Sequence, residues 1–257
     1  MKKVKHFSLS FLCLVFALSM ACSVRYAKET KAVQKEGLKV YKSDFVGDVA
    51  MPAVAVLHTA TGSCTAFAFW RKGNIYRFAT NAHCFVKEEF ENGNIVTFFL
   101  LAELALYDKN GYSLGFYPAE LIGASLIEGK EDFAIVETEI EVLEVPILKL
   151  SKNDPVFGHC AFTLGFPTSA VGRVFLGFVY RLVHKTDKRI LLKVRGIRDG
   201  HGLSGAPIFD CLAKEVTAII DSGFVKDPNL LRAFPISAFR KFQKEAEVKY
   251  LRYLEGW

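Results

Sequence analysis

The chain has 257 residues, with 33 lysines and arginines against 27 aspartates and glutamates and a formal charge of +6. Three of those lysines, Lys2, Lys3 and Lys5, precede an apolar leader without acidic residues, so the exported part carries only +3. That excess is too small to call for a nucleic-acid partner, and no internal repeat or low-complexity segment points to an array or a solvated tail.

The leader comes first in chain order. SLSFLCLVFALSMAC follows the lysines, and the apolar run from Phe7 to Ala21 is 15 residues, short for a membrane span and suited to a secretory signal. The exit LSMAC resembles the signal of bacterial lipoproteins, in which the first mature residue is a lipidated cysteine, here Cys22; the alternative is simple export to the periplasm or the medium. The expected division is a signal peptide over 1–21, a polar lysine-rich tether over 22–47, a first β-barrel over 48–148, a second over 149–238 and a helix over 239–257. If the cell has two membranes, Ser23 in place of aspartate points by the same resemblance to the outer one.

Export decides how the cysteines are read. Of six, Cys13 leaves with the leader and Cys22 sits at the cleavage point, which leaves Cys64, Cys84, Cys160 and Cys211. An even set in an oxidising compartment suggests two disulfides, with three pairings open. No pair has the spacing of a zinc knuckle, so no metal is expected.

The first group of strands is AVAVLHTA, TAFAFW, IYRFAT, NIVTFFLLAELALY, AELIGA and FAIVETEIEV, separated by the turn sequences RKGN, DKNG and EGKED. The run from Val96 to Tyr107 is read as one long strand or a strand pair. After a polar break at SKNDP, a second group follows: PVFGHCAFTLGF, RVFLGFVYRLVH, RILLKVRGI, APIFD, VTAIIDSGF and RAFPI. Two groups of short strands without a long helix between them indicate two closed or partly closed barrels. In the tail, Phe239, Phe242, Ala246, Tyr250 and Tyr253 recur at helical intervals and form a face expected to cap the second barrel, with contact of a basic amphipathic tail with membrane as the less common alternative.

Chemistry concentrates in GIRDGHGLSGAPIFDC, where glycines surround Ser204 closely enough for backbone N–H groups to converge beside its oxygen. A serine needs a base. His83 ends YRFATNAHC, where an apolar strand stops at a turn, and this places an imidazole at a barrel rim. A carboxylate must orient that imidazole. EDFAIVE offers Asp132 and its neighbour Glu131, and Asp132 is preferred because it is short and adjoins the buried run.

GSCTAFAFW with FATNAHC, then EDFAIVE, then GLSGAPIFD, in that order, resemble the trypsin or chymotrypsin family of serine peptidases, especially the bacterial branch that includes the HtrA/Deg proteins. VPILKLSKNDPVFGHCAFTLGFP, with its Gly165–Pro167 turn, and LRAFPIS extend the resemblance over roughly 49–238. It implies an all-β fold of two six-stranded antiparallel barrels with a C-terminal helix. It implies His83 as general base, Asp132 as orienting carboxylate, Ser204 as nucleophile, and the amides of Gly202 and Ser204 as the oxyanion hole. It implies no cofactor, a protein or peptide substrate, and disulfides joining Cys64 to Cys84 and Cys160 to Cys211. The substrate pocket falls by the same matching near Arg198, Asp199 and His201, with a wall at Asp221, Ser222 and Gly223; the alternatives are that Arg198 favours an acidic side chain, that Asp199 favours a basic one, or that the two neutralise each other. Leu203 stands where trypsin has aspartate, and Ala206 replaces a glycine, which is harmless only if that position does not need positive φ. No sequence for a PDZ domain follows Trp257. The expectation is an envelope serine endopeptidase, with a catalytically inactive binding or adhesion protein of the same fold as the alternative.

Overall fold

The computed structural model describes residues 44–60, 62–89, 95–98, 101–127, 131–167, 173–182, 189–194, 197, 200–224 and 227–254. The expected signal peptide, Cys22 and most of the expected tether lie outside the described residues, as do Arg198 and Asp199.

The first strands are β1 (Val54–Thr59), β2 (Gly62–Lys72), β3 (Ile75–Thr80), β4 (Val86–Glu89), β5 (Ile95–Phe98), β6 (Leu101–Tyr107), β7 (Ser113–Ile127) and β8 (Glu131–Glu139). Six of them pair antiparallel in the order β1-β2-β3-β8-β7-β6, and β6 returns to β1 with Ala55 opposite Leu106. The second set comprises β9 (Cys160–Gly165), β10 (Arg173–Leu182), β11 (Ile190–Val194), β12 (Pro207–Asp210), β13 (Val216–Phe224) and β14 (Asp227–Pro235). Its order is β10-β11-β14-β13-β12-β9, with β9 pairing back to β10. The two sheets differ in regularity. The second is completed through the four-residue β12, which offers only three paired residues to each neighbour and shifts register against β13.

Val, Ile, Phe and Ala dominate these strands because a barrel wall packed on both sides gives β-branched and aromatic side chains burial on each face. In β1 Val54 to Leu57 are all fully buried, and in β9 all six residues are buried. Leu57, Tyr76, Phe78, Phe85 and Leu104 fill the first sheet, and Leu192, Ile208, Ile220 and Leu231 fill the second. Between them lies a third, aromatic cluster. Phe133 of β8 meets Phe234 of β14 and Phe239 and Phe242 of the helix α1 (Ile236–Leu254), at centroid separations of 5.2, 5.6 and 5.7 Å.

The helix therefore covers the junction of the two sheets, where Ala246 and Phe242 close on Gly123 of β7. Its start at Ile236 is three residues before the expected boundary, and its first turn is held by Asp154 of the inter-sheet linker. The Ser237 amide and hydroxyl donate to the two carboxylate oxygens of Asp154 at 2.9 and 2.7 Å, which supplies an acceptor to amides that have no partner within the helix. The linker itself is stitched to both sheets: the Leu148 amide donates to Ala68, while Ser151 and Val216 are bonded across Lys149–Ser151.

Two local expectations are refined. The run from Val96 to Tyr107 divides into β5, which pairs with β4 in a separate two-stranded ribbon, and β6, a barrel strand. Phe45 and Val46, counted with the tether, belong to a π-helical turn over Phe45–Ala50 whose Phe45 ring lies edge-on to Phe162 and Phe209. No helix among the described residues is long and apolar enough to cross a membrane.

Candidate active site

The β3–β8 register carries His83 to Asp132. Thr80 lies opposite Ala134, so the residue two places before Ala134 stands beside the turn that follows Thr80. There Asn81 is extended and a 3-10 turn over Ala82–Phe85 presents the imidazole. The His83 amide donates to Asp132 Oδ1 at 3.0 Å, and His83 Nδ1 donates to Oδ2 at 2.6 Å. The Asn81 side-chain amide donates to the Asp132 carbonyl at 2.7 Å. Three bonds thus align one carboxylate with one ring, and they leave Nε2 of the neutral imidazole as the acceptor. Glu131, the rival carboxylate, instead accepts from Ser125 at 2.7 Å.

Asp132 is only 5% exposed, whereas 40% of the imidazole surface remains open to solvent. Burial works to lower the His83 pKa, but the Asp132 hydrogen bond and the charges of Asp132 and Asp221 outweigh it and hold the pKa above its usual value. A disulfide joins Cys64 to Cys84, the residue after His83, and the Thr59 hydroxyl donates to the Cys84 carbonyl at 2.7 Å. The second disulfide joins Cys160 to Cys211 across β9 and the end of β12. Both pairings agree with those the resemblance implied.

The Ser204 loop is fixed from three sides. Gly202 and Gly205 have φ of +85° and +83°, in the left-handed region that favours glycine. A Cβ on Gly205 would lie 2.1 Å from the Thr65 carbonyl and 2.4 Å from the Thr80 hydroxyl, so no side chain fits there. Ala206 has negative φ and is fully buried, which explains why a methyl is accepted in place of glycine. Leu203, 1% exposed, packs among the apolar residues of the second sheet and anchors the turn without a charge.

The first sheet holds the same loop. The Thr65 hydroxyl donates to the Gly202 carbonyl at 2.6 Å and accepts from the Phe166 amide at 3.1 Å, while its backbone amide donates to the Ser204 carbonyl at 2.8 Å. Thr80 in turn donates to the Thr65 carbonyl at 2.8 Å. Sequence reasoning passed over both threonines, since a threonine within an apolar strand is an ordinary strand residue.

Ser204 is half-buried, and its hydroxyl donates to the carbonyl of Asp221 at 3.1 Å. No hydrogen bond joins Ser204 Oγ to His83 among the described residues, so the structure brings His83 and Asp132 together and sets Ser204 in the turn before β12, bonded to Asp221 of β13. Of the expected pocket, His201 is exposed, Ser222 and Gly223 are half-buried, and Asp221 is buried. Asp221 meets Arg189 at 3.2 Å, a partner that the sequence did not mark.

Two sets of donor atoms cluster within 4.8 Å: Cys64, His83 and Cys84, and His83, Asp132 and Asp221. In the first the sulfurs are tied in the disulfide, and in the second Nδ1 is already donated to Asp132. Hydrogen bonding and covalent pairing account for both clusters.

No protein-family model matches the chain, and no curated protein matches it in sequence. Solved structures do. A crystal structure of Deg5 is similar over 81% of this chain and 92% of its own, with a TM-score of 0.55 and 18% identity. A serine endoprotease from Yersinia pestis is similar over 76% of this chain and 63% of its own (TM-score 0.55, 17% identity). An inactive serine-to-alanine mutant of Rv3671c from M. tuberculosis H37Rv is similar over 77% and 88% (TM-score 0.54, 13% identity). At such identities the likeness shows architecture: the chain has an all-β, chymotrypsin-like fold of two antiparallel sheets with a C-terminal helix.

Proposed function

We propose that the protein is an exported serine endopeptidase of the trypsin-like, HtrA/Deg-related group, with the two six-strand sheets serving as the double barrel of that family. The observation that carries this reading is the doubly hydrogen-bonded His83–Asp132 pair, an open imidazole oriented by a buried carboxylate. In the proposed reaction Ser204 Oγ turns from the Asp221 carbonyl toward His83 Nε2 and attacks a peptide carbonyl as Nε2 takes its proton. Asp132 stabilises the resulting imidazolium. The amides of Gly202 and Ser204 receive the charge that develops on the carbonyl oxygen; the bonds that hold the loop use those of Leu203, Gly205 and Ala206 instead. His83 then protonates the leaving amine, and water releases the acyl group by the reverse roles. The same reading makes Cys22 the lipidated anchor of a cell-envelope protein, and Arg198, Asp199, His201, Ser222 and Gly223 the surroundings of the bound side chain.

One observation favours the alternative of an inactive binding protein: the Ser204 hydroxyl is bonded to a backbone carbonyl and not to the base. Labelling of the purified mature domain by a serine-reactive phosphonate decides between the two. The parent is expected to label at one site, and Ser204→Ala to lose label and peptide cleavage while keeping its thermal midpoint. A parent that folds but neither labels nor cleaves overturns the peptidase.

A further inference from the structure

Asp221 does more than wall a pocket. It is the extra residue of a β-bulge, because Ile220 lies opposite Ala233 and Ser222 opposite Arg232, the very next residue of β14. Bulges re-aim a side chain that regular alternation would send elsewhere, and this one brings a carboxylate oxygen of Asp221 within 4.8 Å of both Asp132 and His83. The same residue's carbonyl accepts the Ser204 hydroxyl at 3.1 Å. Asp221 therefore adjoins all three residues assigned to the reaction.

Its carboxylate is deliberately held. Arg189 Nη1 and the Ser222 hydroxyl donate to Oδ2, both at 3.2 Å, and Arg232 Nε donates to Ser222 Oγ at 2.9 Å. Among the described residues, the charged groups around it are thus Asp132 from β8, His83 from the turn after β3, Arg189 from the segment before β11 and Arg232 from β14. Two carboxylates this close in a buried site do not ionise together readily.

We propose that Asp221 is a positioning residue that shares one proton with Asp132, extending the His83–Asp132 pair into a chain of three in which the protonation of Asp221 sets the charge that His83 feels. With the proton present, Asp221 donates to the Asp132 carboxylate and fixes its second face. When the proton leaves, an added negative charge favours the imidazolium and withdraws the base. Burial, and then the Asp132 charge, raise the Asp221 pKa against the pull of the Arg189 hydrogen bond and the Arg232 charge. The inference rests on the reading of His83 as the base, but the carboxyl pair exists or not independently of cleavage.

The test is NMR titration of the full-length protein with labelled aspartate carboxyl carbons and histidine Cε1, the His83 signal being assigned by a His83→Gln variant. In the parent, one aspartate is expected to titrate above the usual carboxylate range, and the His83 curve to be broader than a single ionisation because its midpoint depends on Asp221. In Asp221→Asn, which keeps a donor and removes the charge, the high-titrating carboxyl should vanish. The His83 curve should then become a single step, with its midpoint lower by on the order of one pH unit. The acid limb of phosphonate labelling should move by the same amount. Parent aspartates that all titrate in or below the usual range overturn the shared proton even if the variant does not fold. A labelling limb that stays in place while the His83 midpoint moves overturns the link to reactivity. A parent that never labels yet shows both titrations retains the carboxyl pair and removes only the peptidase reading.

Discussion

At the residue scale the balance around His83 makes a pH dependence whose sign follows from the geometry. The Asp132 bond outweighs burial and raises the His83 pKa, and only the neutral ring accepts a proton from serine. Reactivity of Ser204 should therefore rise with pH around a midpoint above the usual histidine value of about 6.5. Stability runs the other way: a raised folded pKa gives a contribution fully present below the unfolded value and lost as pH climbs through the folded one. The thermal-midpoint advantage of the parent over His83→Gln should accordingly shrink as pH is raised above about 6.5; a widening gap contradicts the assignment of causes. Gly205 offers a sharper test. Its φ of +83° and the Thr65 carbonyl 2.1 Å from any Cβ mean that Gly205→Ala must displace backbone, not a pliable side chain. A loss on the order of 3 kcal/mol or more is expected by urea unfolding, with labelling abolished. Thr65→Val keeps the shape and removes the donor to Gly202, so about 1–2 kcal/mol should go, and labelling should slow because the loop loses its side-chain tie to the first sheet and keeps only the Thr65 amide bond to Ser204.

At the scale of elements, α1 is the piece most separable from the chemistry. Asp154 accepts from both the amide and the hydroxyl of Ser237, so Asp154→Ala should cost about 1 kcal/mol, the usual value of a lost helix cap. Differential scanning calorimetry should record that loss while labelling of Ser204 keeps its rate; a slowed reaction would mean that α1 reaches the site through Phe133, the residue after Asp132. Elements also show what a sequence can and cannot disclose. The strand groups, the tail helix and the His83–Asp132 meeting were legible, because apolar periodicity and turn residues are local signals and the motif order identified the rest. The division of the Val96–Tyr107 run was not, since partner choice between β4 and β7 depends on residues far along the chain. Nor was the bulge at Asp221, because the additional residue becomes visible only when β13 is laid against β14. Asn81 and Thr65 escaped for a related reason: their importance lies in carbonyls supplied by Asp132 and Gly202, and no spacing rule records an acceptor on a distant segment of the chain.

For the whole molecule, stability and site geometry depend on the same cross-links. The Cys64–Cys84 and Cys160–Cys211 bridges close loops of 20 and 51 residues, worth about 3 and 4 kcal/mol by the chain-entropy relation. Reduction under native conditions should lower the thermal midpoint by an amount that the paired variants Cys64→Ala/Cys84→Ala and Cys160→Ala/Cys211→Ala divide roughly in that ratio. The first pair should also slow labelling more for its stability cost, as it holds the turn that carries His83; unchanged labelling in both pairs would show that the bridges act only on the denatured chain. The bond from Thr65 to Gly202 spans 137 residues of sequence, a separation that makes it costly to close and slow to form. During refolding, then, neither sheet alone can set the loop around Ser204, and the tie forms only after both have come together. On the proposed peptidase reading, a folding chain would pass through every partly folded stage, with its own loose segments exposed at high local concentration, before it possessed anything able to cut them. On that reading, delay of this kind keeps the folding chain from cutting itself, and stopped-flow refolding followed by pulses of phosphonate should find that label never appears ahead of the slowest phase in tryptophan fluorescence.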